Sequence, residues 1–178
     1  DRRTDGQTDR RAVEMAARDG LRLIHGFDDA EIIAGQGTAA VEILEDVPDA
    51  DAIVVPTGGA GLLAGVAIAA KARRPDIKII AVEAAAAASF TASLAAGKPV
   101  NAPVQPTLAD GLAVGRVGDR SFALAAPRVA RVLTVDEQAL SLAVLRLLEL
   151  EKTSCEGAGA AALAALMGEA GQELKGRK

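Results

Sequence analysis

The 178-residue chain contains no tryptophan, no tyrosine, one cysteine and one histidine. Each shortage excludes something. With aromatics at 2 %, there is little surface on which nucleobases could stack. A single cysteine builds neither a disulfide scaffold nor a multi-cysteine zinc site. A single histidine makes a histidine-rich metal site or a Ser-His-Asp triad cramped. The net charge of −4 argues against nucleic acid, because phosphate backbones are gripped by clustered Lys and Arg. The longest apolar run, Leu62 to Ala70, is too short to span a bilayer, so no membrane partner is expected. No apolar segment follows a basic start, so no secretory signal is expected either. The expectation left standing is a small-molecule protein of the cytoplasm. At 50 % hydrophobic and 25 % charged residues it is long enough to bury one core.

Two ends flank that core. Asp1 to Arg11 is polar, charged and aperiodic and reads as a disordered tail, with the domain running from 12 to 178. The chain begins without Met and stops at Gly176-Arg177-Lys178, directly after a helical stretch, which reads as a truncated portion of a longer gene product. Between them, strand and helix patterns alternate. Ala12 to Asp19 reads as a helix closed by Gly20, and Leu21 to His25 as a short strand. Thr38 is expected to cap a helix to Glu45, with Val41 and Leu44 on one face. Ala52 to Val55 and Ile77 to Val82 are apolar strands, with a helix from Leu62 to Arg73 between them. Ala88 to Ala96 is a helix that Gly97 ends, and three prolines (Pro99, Pro103, Pro106) mark the loop beyond it. Asp119 to Ala126 is a helix and Arg131 to Thr134 a strand. Asp136 caps an amphipathic helix to Glu151 with Leu140, Val144, Leu147 and Leu148 inward. A last helix covers Ala158 to Met167. Apolar strands linked by helices imply an α/β fold: a doubly wound, mainly parallel sheet with helices on both faces.

The densest signal is Thr57-Gly58-Gly59-Ala60-Gly61-Leu62, between a strand and a helix N-terminus. Backbone N–H groups there lack partners, the helix dipole adds partial positive charge, and glycine allows close approach of an anion. The loop is therefore a phosphate cradle or a tight turn without a ligand. Gly59 to Ala64 also fits a loose dinucleotide pattern, with Glu83 roughly where a ribose-binding acid belongs, which would make the chain an NAD-binding half-fold. Elsewhere the bland readings are preferred. His25 reads as a structural histidine at a strand end and Cys155 as a small buried apolar residue. Asp28-Asp29 reads as the cap of a following short helix.

Six segments in order carry a resemblance: Phe27-Asp28-Asp29, Ile33-Ala34-Gly35-Gln36-Gly37-Thr38, Val55 to Leu62, Ala81-Val82-Glu83, Ala109 to Val114, and Glu156 to Ala160. In order and spacing they resemble the threonine/serine dehydratase family, pyridoxal-phosphate enzymes of the tryptophan-synthase-β type that include serine racemases. The resemblance covers roughly Leu21 to Met167. It implies the large cofactor domain of a fold-type-II enzyme, incomplete here. By resemblance, Gly58, Gly59, Ala60 and Gly61 hold the cofactor phosphate, Asp110-Gly111 lies on the ring side, and Glu156 lies near the pyridine ring. Ala60 stands where the dehydratases usually have Gly. If that position needs φ > 0, Ala60 is strained by about 1 kcal/mol. Glu83 matches an acid that helps bind a structural divalent cation in some relatives. Ser89 stands where the partner acid would be, so Glu83 is at best a weak metal candidate.

The departures are equally specific. The family's Schiff-base lysine lies in a Ser-x-Lys-x-Arg-Gly context, which none of Lys71, Lys78, Lys98, Lys152, Lys175 and Lys178 has. The Ser-x-Gly-Asn segment for the substrate carboxylate and the Ser-Gly-Gly-Asn segment facing the pyridine nitrogen are also absent. The lysine both tethers the cofactor and moves the substrate α-proton. The resemblance therefore implies an ammonia-lyase of L-threonine or L-serine, with pyridoxal phosphate as cofactor, a homo-oligomer at full length. This chain is expected to be inactive alone. The alternatives are an amino-acid racemase on the same scaffold and a non-catalytic binding or partner protein.

Overall fold

A computed structural model describes residues 5–178. Its centre is a parallel sheet of three strands in the order β1 (Ala52–Pro56), β2 (Lys78–Ala84), β3 (Arg131–Val135). Val54 sits opposite Ile80, and Ile80 opposite Arg131. β2 is buried along its length beyond Lys78 because it has a strand on each side and helices above and below. β3, at an edge, keeps Arg131 and Thr134 exposed. At the outer edge of β1, the Lys178 carbonyl accepts from the N–H groups of Asp51 (2.7 Å) and Ala52 (3.2 Å).

The alternation of side chains along each strand divides the core in two. One cluster takes Ile53 and Val55 from β1, with Ile79 and Ala81 from β2. It is covered by α2 (Ala30–Gln36), α3 (Thr38–Asp46), α4 (Gly61–Arg73) and α6 (Asp119–Ala125). The other takes Val82, Ala84 and Val135 and is covered by α7 (Glu137–Glu151) and α8 (Gly157–Met167). Helices on both faces of a parallel sheet are the expected doubly wound arrangement. α5 (Ser89–Ala96), ended by Gly97 at φ +68°, completes the middle of the chain.

Small residues set the helix spacing. A Cβ on Gly65 of α4 would lie 2.3 Å from the Ile33 carbonyl oxygen, so α2 can rest on α4 only where a side chain is missing. The same contact carries the 26–38 segment across the start of α4, toward the glycine loop.

Several expectations are corrected. Asp5–Asp19 forms one helix, α1, so residues 5–11 of the expected tail are helical, while residues 1–4 lie outside the described residues. An Arg11–Glu14 pair one turn apart is the kind of local support that polar composition conceals. Leu21 to His25 is not a strand: no neighbouring strand offers it a ladder, and Leu21, Leu23 and Ile24 are exposed. Thr38 begins α3 but does not cap it; its hydroxyl donates back to the Gly35 carbonyl (2.8 Å). On α7, Asp136 caps as expected, accepting from the Ala139 N–H (2.8 Å). Leu140 is buried, whereas Leu148 is exposed, and Ala143 takes the inward place. The short α9 (Glu169–Glu173) has no sequence counterpart above.

Candidate functional site

β1 ends at Pro56, and Thr57 still donates its N–H to the Val82 carbonyl (2.8 Å). The chain then turns through Gly58, Gly59 and Ala60 into α4. Among the described residues, the N–H groups of Gly58, Gly59, Ala60, Gly61, Leu62 and Leu63 have no acceptor within the chain; the first intrahelical bond is Ala64 to Ala60 (2.9 Å). Thr57 through Gly61 are nevertheless buried. Successive unpaired donors at the N-terminus of a 13-residue helix carry partial positive charge, an arrangement suited to receiving an anion. Ala60 sits at φ +70°, ψ 8°, the left-handed region, so the strain expected of a non-glycine residue there is present.

The loop has this shape because neighbours occupy the space where side chains would be. A Cβ on Gly59 would meet the Phe27 ring at 2.4 Å, and one on Gly61 would meet the Phe27 carbonyl oxygen at 2.3 Å. A Cβ on Gly58 would press on Leu112 and Val114 at 3.1–3.2 Å.

The opposite wall comes from the other half of the chain. Asp110–Leu112 makes a single tight turn, in which the Gly111 N–H donates to Asp110 Oδ1 (2.9 Å). Glu156 is the N-cap residue of α8, yet its carboxylate makes no capping bond. Its Oε1 lies 3.5 Å from where a Cβ of Gly111 would be. The side chain is thus directed at the loop rather than spent on its own helix. A Cβ on Gly157 would strike the Leu108 carbonyl oxygen at 2.3 Å, and this close seat docks the start of α8 under the 108–112 loop.

Gly58, Gly59, Ala60, Gly61, Gly111 and Glu156 line one cavity of about 410 Å³ at the carboxyl end of β1, the usual position for a ligand in an open α/β sheet. None of the chain's lysines lines it. Lys71 and Lys152 bond to nearby carbonyls, and Lys178 pairs with Asp49.

Among the lining residues given no site role from sequence are Phe27 and Gln36, although both lie in segments that carry the resemblance. Phe27 could have been suspected from the glycines, since a loop stripped of side chains needs something to fill against it. Asp28 and Asp29, expected to cap one helix together, are divided. Asp29 caps α2, accepting from the Glu31 N–H (2.9 Å), while Asp28 Oδ1 accepts from the Ser121 N–H in α6 (2.8 Å). His25 lies in an irregular segment just before the 26–28 turn rather than at a strand end, and Cys155 is half-buried with its thiol toward the Glu156 carbonyl.

Glu83 is elsewhere. It is fully buried at the end of β2, where Oε1 accepts from the Phe90 N–H (2.6 Å) and Oε2 from the N–H (2.9 Å) and hydroxyl (2.6 Å) of Thr91. It therefore braces the first turn of α5 from outside. Burial raises its pKa above the ordinary carboxylate value, opposed by the bonds from Thr91 and Phe90. Turned into α5, it lines no part of the cavity, so the dinucleotide pattern loses its ribose-binding acid. Its oxygens are committed to three donors, and no cluster of three or more His, Cys, Asp or Glu suited to a metal occurs among the described residues. The residues present do not fit a structural divalent cation there. No helix among the described residues is long and apolar enough to cross a membrane.

Known proteins share this architecture. The chain is 44 % identical over 166 residues to an L-threonine ammonia-lyase of Geobacter sulfurreducens and 41 % identical over 167 residues to one of Thermotoga maritima. These matches cover 93 % and 94 % of the chain and 41 % of each relative, so the chain spans about two fifths of their length. The solved structure of maize serine racemase superposes with a TM-score of 0.92 at 35 % identity, over 99 % of this chain and 55 % of that one. The family model for pyridoxal-phosphate dependent enzymes matches residues 2–178, and the chain belongs to that family.

Proposed function

We propose that this chain forms the phosphate-binding side of a pyridoxal-phosphate dependent L-threonine or L-serine ammonia-lyase. The observation that carries the reading is the run of six unpaired N–H groups from Gly58 to Leu63, on a cavity that Gly111 and Glu156 close from the other side. The loop fits a phosphate ester: its glycines leave room a Cβ would fill, and its donors supply what a dianion requires. Gly58, Gly59, Ala60 and Gly61 would hold the phosphate, with Gly111 and Glu156 beside the ring. Pyridoxal phosphate, when bound, supplies electron withdrawal from the amino-acid Cα. The chain's own share is to bind and orient through the loop amides, and to place the Glu156 carboxylate at the ring side. No lysine reaches the cavity to move the α-proton, so the chain alone is inactive and the activity belongs to a longer protein that contributes that base.

Serine racemisation is the second reading, favoured by the maize structure's similarity. The coding sequence upstream decides between a longer enzyme and a non-catalytic protein. An in-frame lysine in a Ser-x-Lys context is expected. The longer product should then release 2-oxobutanoate from L-threonine or pyruvate from L-serine. D-serine formation without 2-oxo acid would favour the racemase. A start codon at this chain's own beginning, with no lysine motif upstream, would overturn the enzymatic reading.

A further inference from the structure

We propose that His25 is a positioning residue for the glycine loop, acting through Phe27. The inference deepens the phosphate-cradle reading and rests on it for its functional consequence.

The 26–28 turn is a strut between the loop and α6. At one end, the Phe27 ring and carbonyl fill the space against Gly59 and Gly61. At the other, the Ser121 hydroxyl donates to the Phe27 carbonyl (2.8 Å) and the Ser121 N–H to Asp28 Oδ1 (2.8 Å). Gly118 lies so close that a Cβ there would fall 2.1 Å from Asp28 Oδ1, and its N–H donates to the Gly59 carbonyl (3.1 Å). The loop, the turn and the start of α6 thus hold one another.

The strut needs fixing on its upstream side, where the exposed Arg22 makes only long pairs with Asp29 (3.8 Å) and Glu31 (3.9 Å). Leu21, Leu23 and Ile24 are exposed and belong to no ladder. His25 is where the segment takes hold. Its Nδ1 accepts from the N–H of Asp28 (3.1 Å) and, at longer range, of Phe27 (3.4 Å). Its ring meets the Phe27 ring edge-on, with centroids 4.5 Å apart. Because Nδ1 accepts, the neutral imidazole carries its proton on Nε2. One side chain therefore satisfies two backbone donors and sets the angle of the phenyl ring that shapes the cradle.

Asparagine separates the acceptor from the rest of the imidazole, because its Oδ1 can stand where Nδ1 does; leucine keeps the bulk and offers no acceptor. Amide hydrogen exchange and an inorganic-phosphate titration followed by backbone NMR are measured on the 178-residue chain, His25→Leu and His25→Asn. In His25→Leu, exchange at Phe27 and Asp28 should accelerate about tenfold or more, while β2 amides such as Ile79 and Ala81 stay unchanged. Phosphate affinity read at Gly58–Gly61 should fall severalfold. His25→Asn should restore both. Unchanged exchange and affinity in His25→Leu would overturn the proposal, and so would equal loss in the two variants, since the acceptor would then not be the active feature. If the wild-type chain shows the expected exchange pattern but no phosphate shifts, the anchor stands and the cradle reading fails.

Discussion

The two walls of the cavity are built on different principles. On the Gly58–Gly61 side every residue is buried, and missing side chains are replaced by fixed neighbours: Phe27, Leu112 and Val114. On the Gly111–Glu156 side both residues are exposed, and the Glu156 carboxylate makes no capping bond. The first wall offers fixed backbone dipoles, which suits a phosphate whose geometry never changes. The second offers a side chain free to turn, which suits the end of a ligand where chemistry alters charge. In the proposed complex, rigidity would lie where binding is constant and latitude where it is not.

Breaking the rigid wall should have the largest effect. Gly61→Ala puts a methyl 2.3 Å from a backbone oxygen, which cannot step aside as a side-chain tip would. We expect a loss of about 3 kcal/mol in a urea titration. Next comes Glu83, at the same end of the sheet but outside the cavity. Glu83→Ala orphans the Phe90 and Thr91 N–H groups and should cost about 2 kcal/mol without altering phosphate shifts at the loop. Its titration has a definite sign. With the folded pKa raised, the folded state holds the proton more tightly, so stability falls as pH rises from the ordinary carboxylate value through the raised one. Glu83→Gln should flatten that slope in unfolding curves taken across the window.

Smaller effects sharpen the contrast. Ala60→Gly relieves a left-handed φ of 70° and should stabilise the chain by about 1 kcal/mol, read as a higher urea midpoint. On the yielding wall, Glu156→Gln should change stability by less than about 0.5 kcal/mol, because the carboxylate caps nothing. It should still shift the absorption maximum of bound pyridoxal phosphate. A stability loss matching that of Gly61→Ala would show that the walls do not differ.

Much of this was legible in the residues. Unalternating apolar runs at 52–55 and 77–82 gave away a parallel sheet, and the glycine spacing gave away the loop at the N-terminus of α4. The order of the six short segments joined that loop to Gly111 and Glu156 across a hundred residues, which periodicity alone could not do. Other features depended on partners that no local pattern names. Leu21 to His25 has the composition of a strand, but a strand exists only beside another. Asp28 looks like its neighbour Asp29, yet it serves a helix that begins at Asp119. Glu83 reads as an acid at a strand end, and only the approach of α5 shows what its oxygens accept. Phe27 entered the cavity because glycines far along the chain made room for it.

The central claim is that the loop amides form a phosphate cradle. It is tested most directly by titrating the 178-residue chain with pyridoxal phosphate while following its backbone amides by NMR. The largest shifts should fall on Gly58 through Leu63, with smaller ones at Gly111 and Glu156. Shifts centred instead on Lys78 and Arg131, the basic residues at the opposite end of the sheet, or no shifts at the loop at saturating ligand, would contradict it.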